Sequence, residues 1–360
     1  MAVSTWGVND NEAVLLWSRK TMHEALKLTQ ASQFMGSDST ALCQVHDDTS
    51  KSPGDRLRFI LRMMLTGNGV QGDDTLEGSE ERLVTYTDTI TIDQLRHAVR
   101  SGGKASEQRV PFEMREEARM ALQDWWAERL DQWFFNQLTG NNVTDTRLTG
   151  NNSILTPDAS HIVFAGVGTA ESNLSANATQ TFSLEIIDKA VLAARTTTPV
   201  IRPLNNKQEP GKHQFVMFVA PEQHYDLRRS TGTGEWQDIQ KYALSANASD
   251  KNPILAGSLG VYNGVVLHES FRIPLVTTSA ANGGARAVLC GAQAAYFALG
   301  RGYSKSRMSW QEELFDYGNQ LGVSTGIIGG MKKTRFNSLD FGTMAASSAV
   351  STAAAAASQR

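Results

Sequence analysis

Along residues 57–65, LRFILRMML, apolar side chains fall on every second position: Leu57, Phe59, Leu61, Met63 and Leu65. Residues 84–92, VTYTDTITI, repeat the rhythm, with Val84, Tyr86, Ile90 and Ile92 alternating with threonines. A period of two in β-branched and aromatic residues predicts two strands, each with an apolar face. The segment between them, 66–82, is rich in glycine and acid and too long for a tight turn. The pattern therefore predicts a long two-stranded arm. Isolated ribbons of this kind are marginal in water, so the arm is expected to rest on something.

Elsewhere the period changes to that of a helix. Residues 11–30 place Leu15, Met22, Ala25 and Leu26 at helical spacing with Trp17 beside them, and Asn9 or Asp10 can cap the first turn. The longest helical pattern is 109–140, RVPFEMREEARMALQDWWAERLDQWFFNQLTG. Pro111 suits the first helical position and Gly140 the C-terminal cap, giving a helix over 111–139. At 1.5 Å per residue it is ~43 Å long. Ala118, Ala121, Leu122, Trp125, Trp126, Leu130, Trp133 and Phe134 cover a broad arc, and Glu113, Glu117, Asp124, Glu128 and Asp131 form one narrow stripe. So wide an aromatic arc predicts packing on several sides, with Trp125, Trp126, Leu130, Trp133 and Phe134 as its structural residues. The stripe is expected to be a solvated acidic face, and the whole helix a strut.

Residues 141–181 read as a polar connection, 182–196 as a second helix, 213–220 as a buried strand followed by a helix opened by Pro221, and 235–244 as a short helix. Strand-like segments return over 308–336. The basic run MKKTRF, 331–336, is expected to be a solvated edge. The last residues, MAASSAVSTAAAAASQR, are Ala/Ser low complexity and are expected to be loose and dispensable for folding. Helices and strands mix without a strand–helix–strand rhythm, which indicates an α+β class.

Composition narrows the picture further. With 360 residues and 41% apolar, the chain can bury about two domains' worth of core. The net charge of −3 argues against a dedicated nucleic-acid binder. No apolar run reaches the ~18 residues of a membrane span, and the first residues lack the basic and apolar regions of a signal peptide. Cys43 and Cys290 stand far apart and read as small core residues rather than a disulfide or metal pattern. His23, His46, His97, His161, His213, His224 and His268 form no local pair. Phosphate-loop, dinucleotide, zinc-protease and serine-hydrolase motifs are missing, so no catalytic, cofactor-binding or metal-binding residues are assigned and no cofactor is expected.

The order of parts carries a resemblance. The stretches GDRLRFILRMMLTGNGVQGDDTLEGSEERL, IDQLRHAVRSGGK, EEARMALQDWWAERLDQWFFNQLTG, LGVYNGVVLHES, LCGAQAA and EELFDYGNQLGVSTGIIGGMKK resemble the major capsid proteins of tailed bacteriophages, and among them the coliphage N-four-like family. That resemblance implies the Hong Kong-type (Johnson) capsid fold. Residues 1–45 would be the N-terminal arm, 46–105 the extended hairpin or E-loop, and 106–199 a peripheral domain carrying the spine helix 111–139. A mixed axial domain would occupy 200–305, the returning peripheral strands 306–343, and the low-complexity tail 344–360. Leu57, Phe59, Leu61, Val84, Tyr86 and Ile90 would be intersubunit residues of the hairpin. The family implies hexamers and pentamers of an icosahedral shell around double-stranded DNA, assembled in the host bacterial cytoplasm. Expected partners are further copies of the chain, a separate scaffolding protein, a portal protein, a decoration protein, and packaged DNA held by non-specific contact. Some relatives form Lys–Asn crosslinks, but nothing marks Lys104 or any Asn here as such a pair.

Two other readings compete with this one. An encapsulin-like compartment shares the fold and would enclose cargo proteins instead of DNA. A soluble enzyme whose site assembles only in three dimensions would present a deep pocket and stay monomeric.

Overall fold

The computed structural model describes residues 29–46, 55–62, 65, 67–73, 75–109, 111, 113–141, 151–177, 179–205, 213–229, 260–276, 283–300 and 308–357. The helices expected over 11–30 and 235–244 lie outside the described residues, apart from Thr29 and Gln30.

The longest helical pattern becomes the helix Met114–Thr139. Gly140 ends it with φ of 64°, the left-handed conformation that glycine adopts without a steric penalty. A side chain there would also strike the carbonyl of Leu155. The residues from Leu130 to Asn141 are all buried, so this half of the helix is enclosed on every side.

Two sheets enclose it. The first is six-stranded and mixed, in the order Met35–Gly36, Cys43–His46, Ala295–Leu299, Gln320–Lys333 and Met308–Phe315, with Asp93–Arg100 on the free side of Gln320–Lys333. Alternation along Ala295–Leu299 sends Ala295, Phe297 and Leu299 into the core with the long helix, and Tyr296 and Ala298 to the other face. The second sheet is eight-stranded. Its centre runs Ile162–Phe164, Thr343–Ala349, Gly284–Cys290, His213–Val219 and Val265–Glu269. It buries both faces, which explains the continuous apolar run of its strands. Val216, Phe218, Val288 and Cys290 meet the long helix, while Phe215, Met217, Val219 and Leu289 meet the helix Leu184–Thr196.

Three expectations from the sequence are corrected. Asp93–Arg100, counted with the hairpin in the 46–105 unit, belongs to the six-stranded sheet through its pairing with Gly322–Gly329. The tail is not loose over its described residues 344–357. Thr343–Ala349 is a fully buried strand between Gly284–Cys290 and Ile162–Phe164, and Thr352–Ala357 is a helix whose entry is fixed by Ser351 on Asp226. The basic run is not a solvated edge either. Lys333 is 3% exposed and donates to the equally buried Asp340 at 2.7 Å, and Lys332 bonds to Asp88.

Candidate assembly surfaces

The strands Arg56–Arg62 and Thr85–Thr91 pair antiparallel, with Leu57 opposite Ile90 and Leu61 opposite Tyr86. At the base of this hairpin Leu57, Phe59, Ile90 and Ile92 pack on Tyr296 and Ala298. The Phe59 and Tyr296 rings stack at 3.9 Å and 9°. Polar bonds fasten the same end. The buried Asp88 accepts from Lys332 and from the backbone N–H of Arg335. The Asn152 amide bridges both backbone groups of Thr91, at 2.8 and 2.9 Å.

Ile90 is therefore buried within its own subunit, while Leu57 and Phe59, packed on the same residues, stay half-buried. The outward half of Ala295–Leu299 supplies their cover, a pairing across more than 200 residues that alternation alone does not reveal. Leu61 and Tyr86 are half-buried and Val84 is exposed. Further out the hairpin carries uncovered apolar groups: Ile60 at 70% exposure, Leu76 at 61%, Leu65 at 58% and Leu83 at 56%. Sequence reasoning placed Leu65 on the alternating face but did not single out Ile60, Leu76 or Leu83, although Ile60 is an apolar residue that breaks the alternation.

Most of the helix's aromatic arc is enclosed, although Ala121 is exposed. Trp126, Leu130 and Phe134 are 0% exposed and Trp133 4%. The Trp126 indole N–H donates to Thr325 Oγ1 at 2.8 Å, joining helix to sheet. Trp125 is half-buried, with His97 stacked on it at 4.4 Å and the Arg129 guanidinium over its ring at 4.7 Å. The acidic stripe divides. Glu113, Glu117 and Asp124 face solvent, but Glu128 pairs with Arg272. Asp131 is buried and accepts the backbone N–H groups of Gln30 and Ala31 at 3.0 and 2.9 Å. Burial pushes its carboxyl up, against the pull of those two bonds. It holds the chain's amino-terminal described segment onto the helix.

The helix C-terminus has its own anchor. Arg286 donates to the carbonyls of Thr139 and Gly140 at 2.9 and 3.0 Å and pairs bidentately with Glu171. A cation at the negative end of a helix is favourable, and the fork geometry fixes its direction. Nearby, Asp158 accepts from Ser160, from the backbone N–H of Asp340 and from the buried His161. Burial alone would raise its carboxyl; these bonds outweigh that and hold it below the usual carboxylate range. Cys43 and Cys290 are buried free thiols, and burial pushes Cys43 up to about 12. Among the described residues no group of three or more His, Cys, Asp or Glu is placed to hold a metal, and no helix is long and apolar enough to cross a membrane.

The subunit is thus a two-sheet body around one enclosed helix, with a hairpin whose base packs on that body and whose distal residues expose apolar groups. The comparisons agree in class. The phage capsid protein family matches residues 5–354, and the chain belongs to that family. It is 27% identical over 359 residues to the major capsid protein of Pseudomonas phage KPP25, covering 91% of each chain. The capsid of Ralstonia phage GP4 superposes with a TM-score of 0.75 at 35% identity, over 89% of this chain and 90% of that one. The Cyanophage Pam1 capsid gives 0.74 at 21% identity, over 91% and 93%. The fold is thus the α+β phage capsid fold that the order of sequence elements implied, and the protein is a structural component of a phage shell.

Proposed function

We propose that copies of this chain assemble as hexamers and pentamers into a closed icosahedral shell around double-stranded DNA. In this reading the distal half of the hairpin lies across a neighbouring copy. The long helix serves as the spine of a peripheral region built on the six-stranded sheet, and the eight-stranded sheet forms most of the axial region. The chain performs no catalysis. Assembly takes place in the host bacterial cytoplasm with a separate scaffolding protein, a portal protein fills one vertex, and a decoration protein binds the outside. Contact with packaged DNA is non-specific, as the net charge of −3 favours.

The observation that carries this reading is the set Ile60, Leu65, Leu76, Leu83 and Val84, exposed between 42% and 70% on the hairpin and its connection. Apolar surface of this kind marks a contact with another molecule. Deleting residues 68–80 tests it. The expected product is a folded subunit with unchanged melting temperature that forms few shells; normal shells from the deletion variant would refute the hairpin's role.

A further inference from the structure

Among the described residues an asparagine precedes a glycine at two places. Asn68–Gly69 lies in the connection between the hairpin strands, and Asn263–Gly264 lies between Gly260–Tyr262 and Val265–Glu269. The pair has its own chemistry. The backbone nitrogen that follows an asparagine can attack the side-chain amide carbon, and glycine, with no side chain, hinders that approach least. Both asparagines are exposed, so neither residue type nor solvent access separates the two places. Their surroundings do.

Asn263 is held in place. It takes φ of 47° and Gly264 takes φ of 75°. These two left-handed residues form the turn that lets Tyr262 pair with Val265. The Asn263 side-chain amide donates to Asp188 at 2.9 Å. The Gly264 carbonyl accepts the N–H of Phe215 at 2.9 Å. Ring closure would have to rotate this backbone out of its turn and break those bonds. Asn68 has none of these restraints. It lies outside any strand or helix, and among the described residues no hydrogen bond holds its side chain. A Cβ added at Gly69 would meet nothing within 4 Å, so the glycine has open space around it. One residue earlier the N–H of Gly67 bonds to Glu81 at 2.6 Å, which leaves the link from Asn68 to Gly69 able to turn.

We propose that Asn68 is a site of spontaneous covalent modification, converted in the folded chain to aspartate and isoaspartate, while the fold protects Asn263. The Gly69 nitrogen bonds to Asn68 Cγ and gives up its proton. The Cγ–Nδ2 bond breaks, ammonia leaves, and a succinimide ring closes. Water then adds to one of the two ring carbonyls. Opening on one side leaves aspartate; opening on the other leaves isoaspartate, with the main chain running through the former side chain. Either product adds a negative charge to a connection that already carries Asp73, Glu77, Glu80 and Glu81.

Incubating the whole chain at alkaline pH, then digesting it with trypsin for mass spectrometry, tests this. The peptide ending at Arg82 carries Asn68, and the peptide ending at Arg272 carries Asn263. In the folded chain Asn68 is expected to gain the mass of NH2 replaced by OH about tenfold faster than Asn263, a barrier difference of about 1.4 kcal/mol. In urea the two rates should converge, because the turn that holds Asn263 is then lost. Asn68→Gln, whose longer side chain closes the ring far more slowly, should lose the mass gain at this position. A folded chain whose Asn68 stays intact, or equal rates at the two asparagines in the folded chain, would overturn the assignment. So would a difference that persists unchanged in urea, since the fold would then not be its source. None of these outcomes depends on the shell reading.

Discussion

Trp126 spans the two layers that matter most, with a buried ring among the core aromatics and an N–H bonded to Thr325 on the sheet. Its replacement by alanine removes the ring, leaves a cavity and strands the threonine hydroxyl. The expected loss is ~3–5 kcal/mol, read as a lowered denaturation midpoint. Arg286 shows a different kind of dependence. Arg286→Met would leave the partly buried Glu171 without its cation and the Thr139 and Gly140 carbonyls without a donor. Removing one partner of a buried pair costs about 3–5 kcal/mol, and the double variant Arg286→Met with Glu171→Gln should recover part of it. Asp158 has its carboxyl held below its ordinary value in the fold. Its contribution to stability is therefore present above the ordinary value of ~3.9 and is lost as the pH falls below it. Unfolding by urea at pH 7 and pH 3 should show a drop that is smaller in Asp158→Asn; an equal drop would place the acid sensitivity elsewhere. Cys43 and Cys290, buried and with Cys43 raised to about 12, should resist a thiol reagent until the chain unfolds.

At the scale of elements, the strand Thr343–Ala349 is the sharpest departure from what the sequence suggests. Its residues, TMAASSA, are all buried, yet small side chains give no amphipathic signal. Small size is what the site requires, because the strand lies between two others and under the helix Leu184–Thr196. Ser347 and Ser348 are 0% exposed and bonded, to Glu171 and from Gln223 respectively. Truncation after Phe341 removes a central strand and exposes Leu289 and Met344's partners in the core, so it is expected to abolish soluble, protease-resistant subunit. Recovery of a folded truncated chain with the wild-type melting temperature would show the strand to be dispensable. The hairpin strands and the long helix were legible because each shows one period over many residues, and Gly140 caps the helix as expected, although the helix opens at Met114 and not at Pro111. The covering of Leu57, Phe59 and Ile90 was not, nor were the pairs Arg286–Glu171 and Lys333–Asp340. These depend on residues distant in sequence or on a bend in the chain, which local patterning does not report.

For the whole molecule, the family was legible in the order of arm, hairpin, long helix and returning strands rather than in any single motif. The structure adds the reason for that order. The long helix is enclosed by both sheets within a single chain, so the subunit has a finished core, while the distal hairpin carries exposed apolar groups. The hairpin segment around Leu76 should be cut early in free subunits and spared in assembled ones, with Arg82 as a convenient tryptic site. The central claim is that this chain builds a closed shell, and electron microscopy of the chain, expressed alone and with a candidate scaffolding protein, tests it most directly. The account predicts uniform closed particles whose wall is made of this chain. A chain that stays monomeric at every concentration and scaffold ratio, with the hairpin exposed throughout, would contradict it.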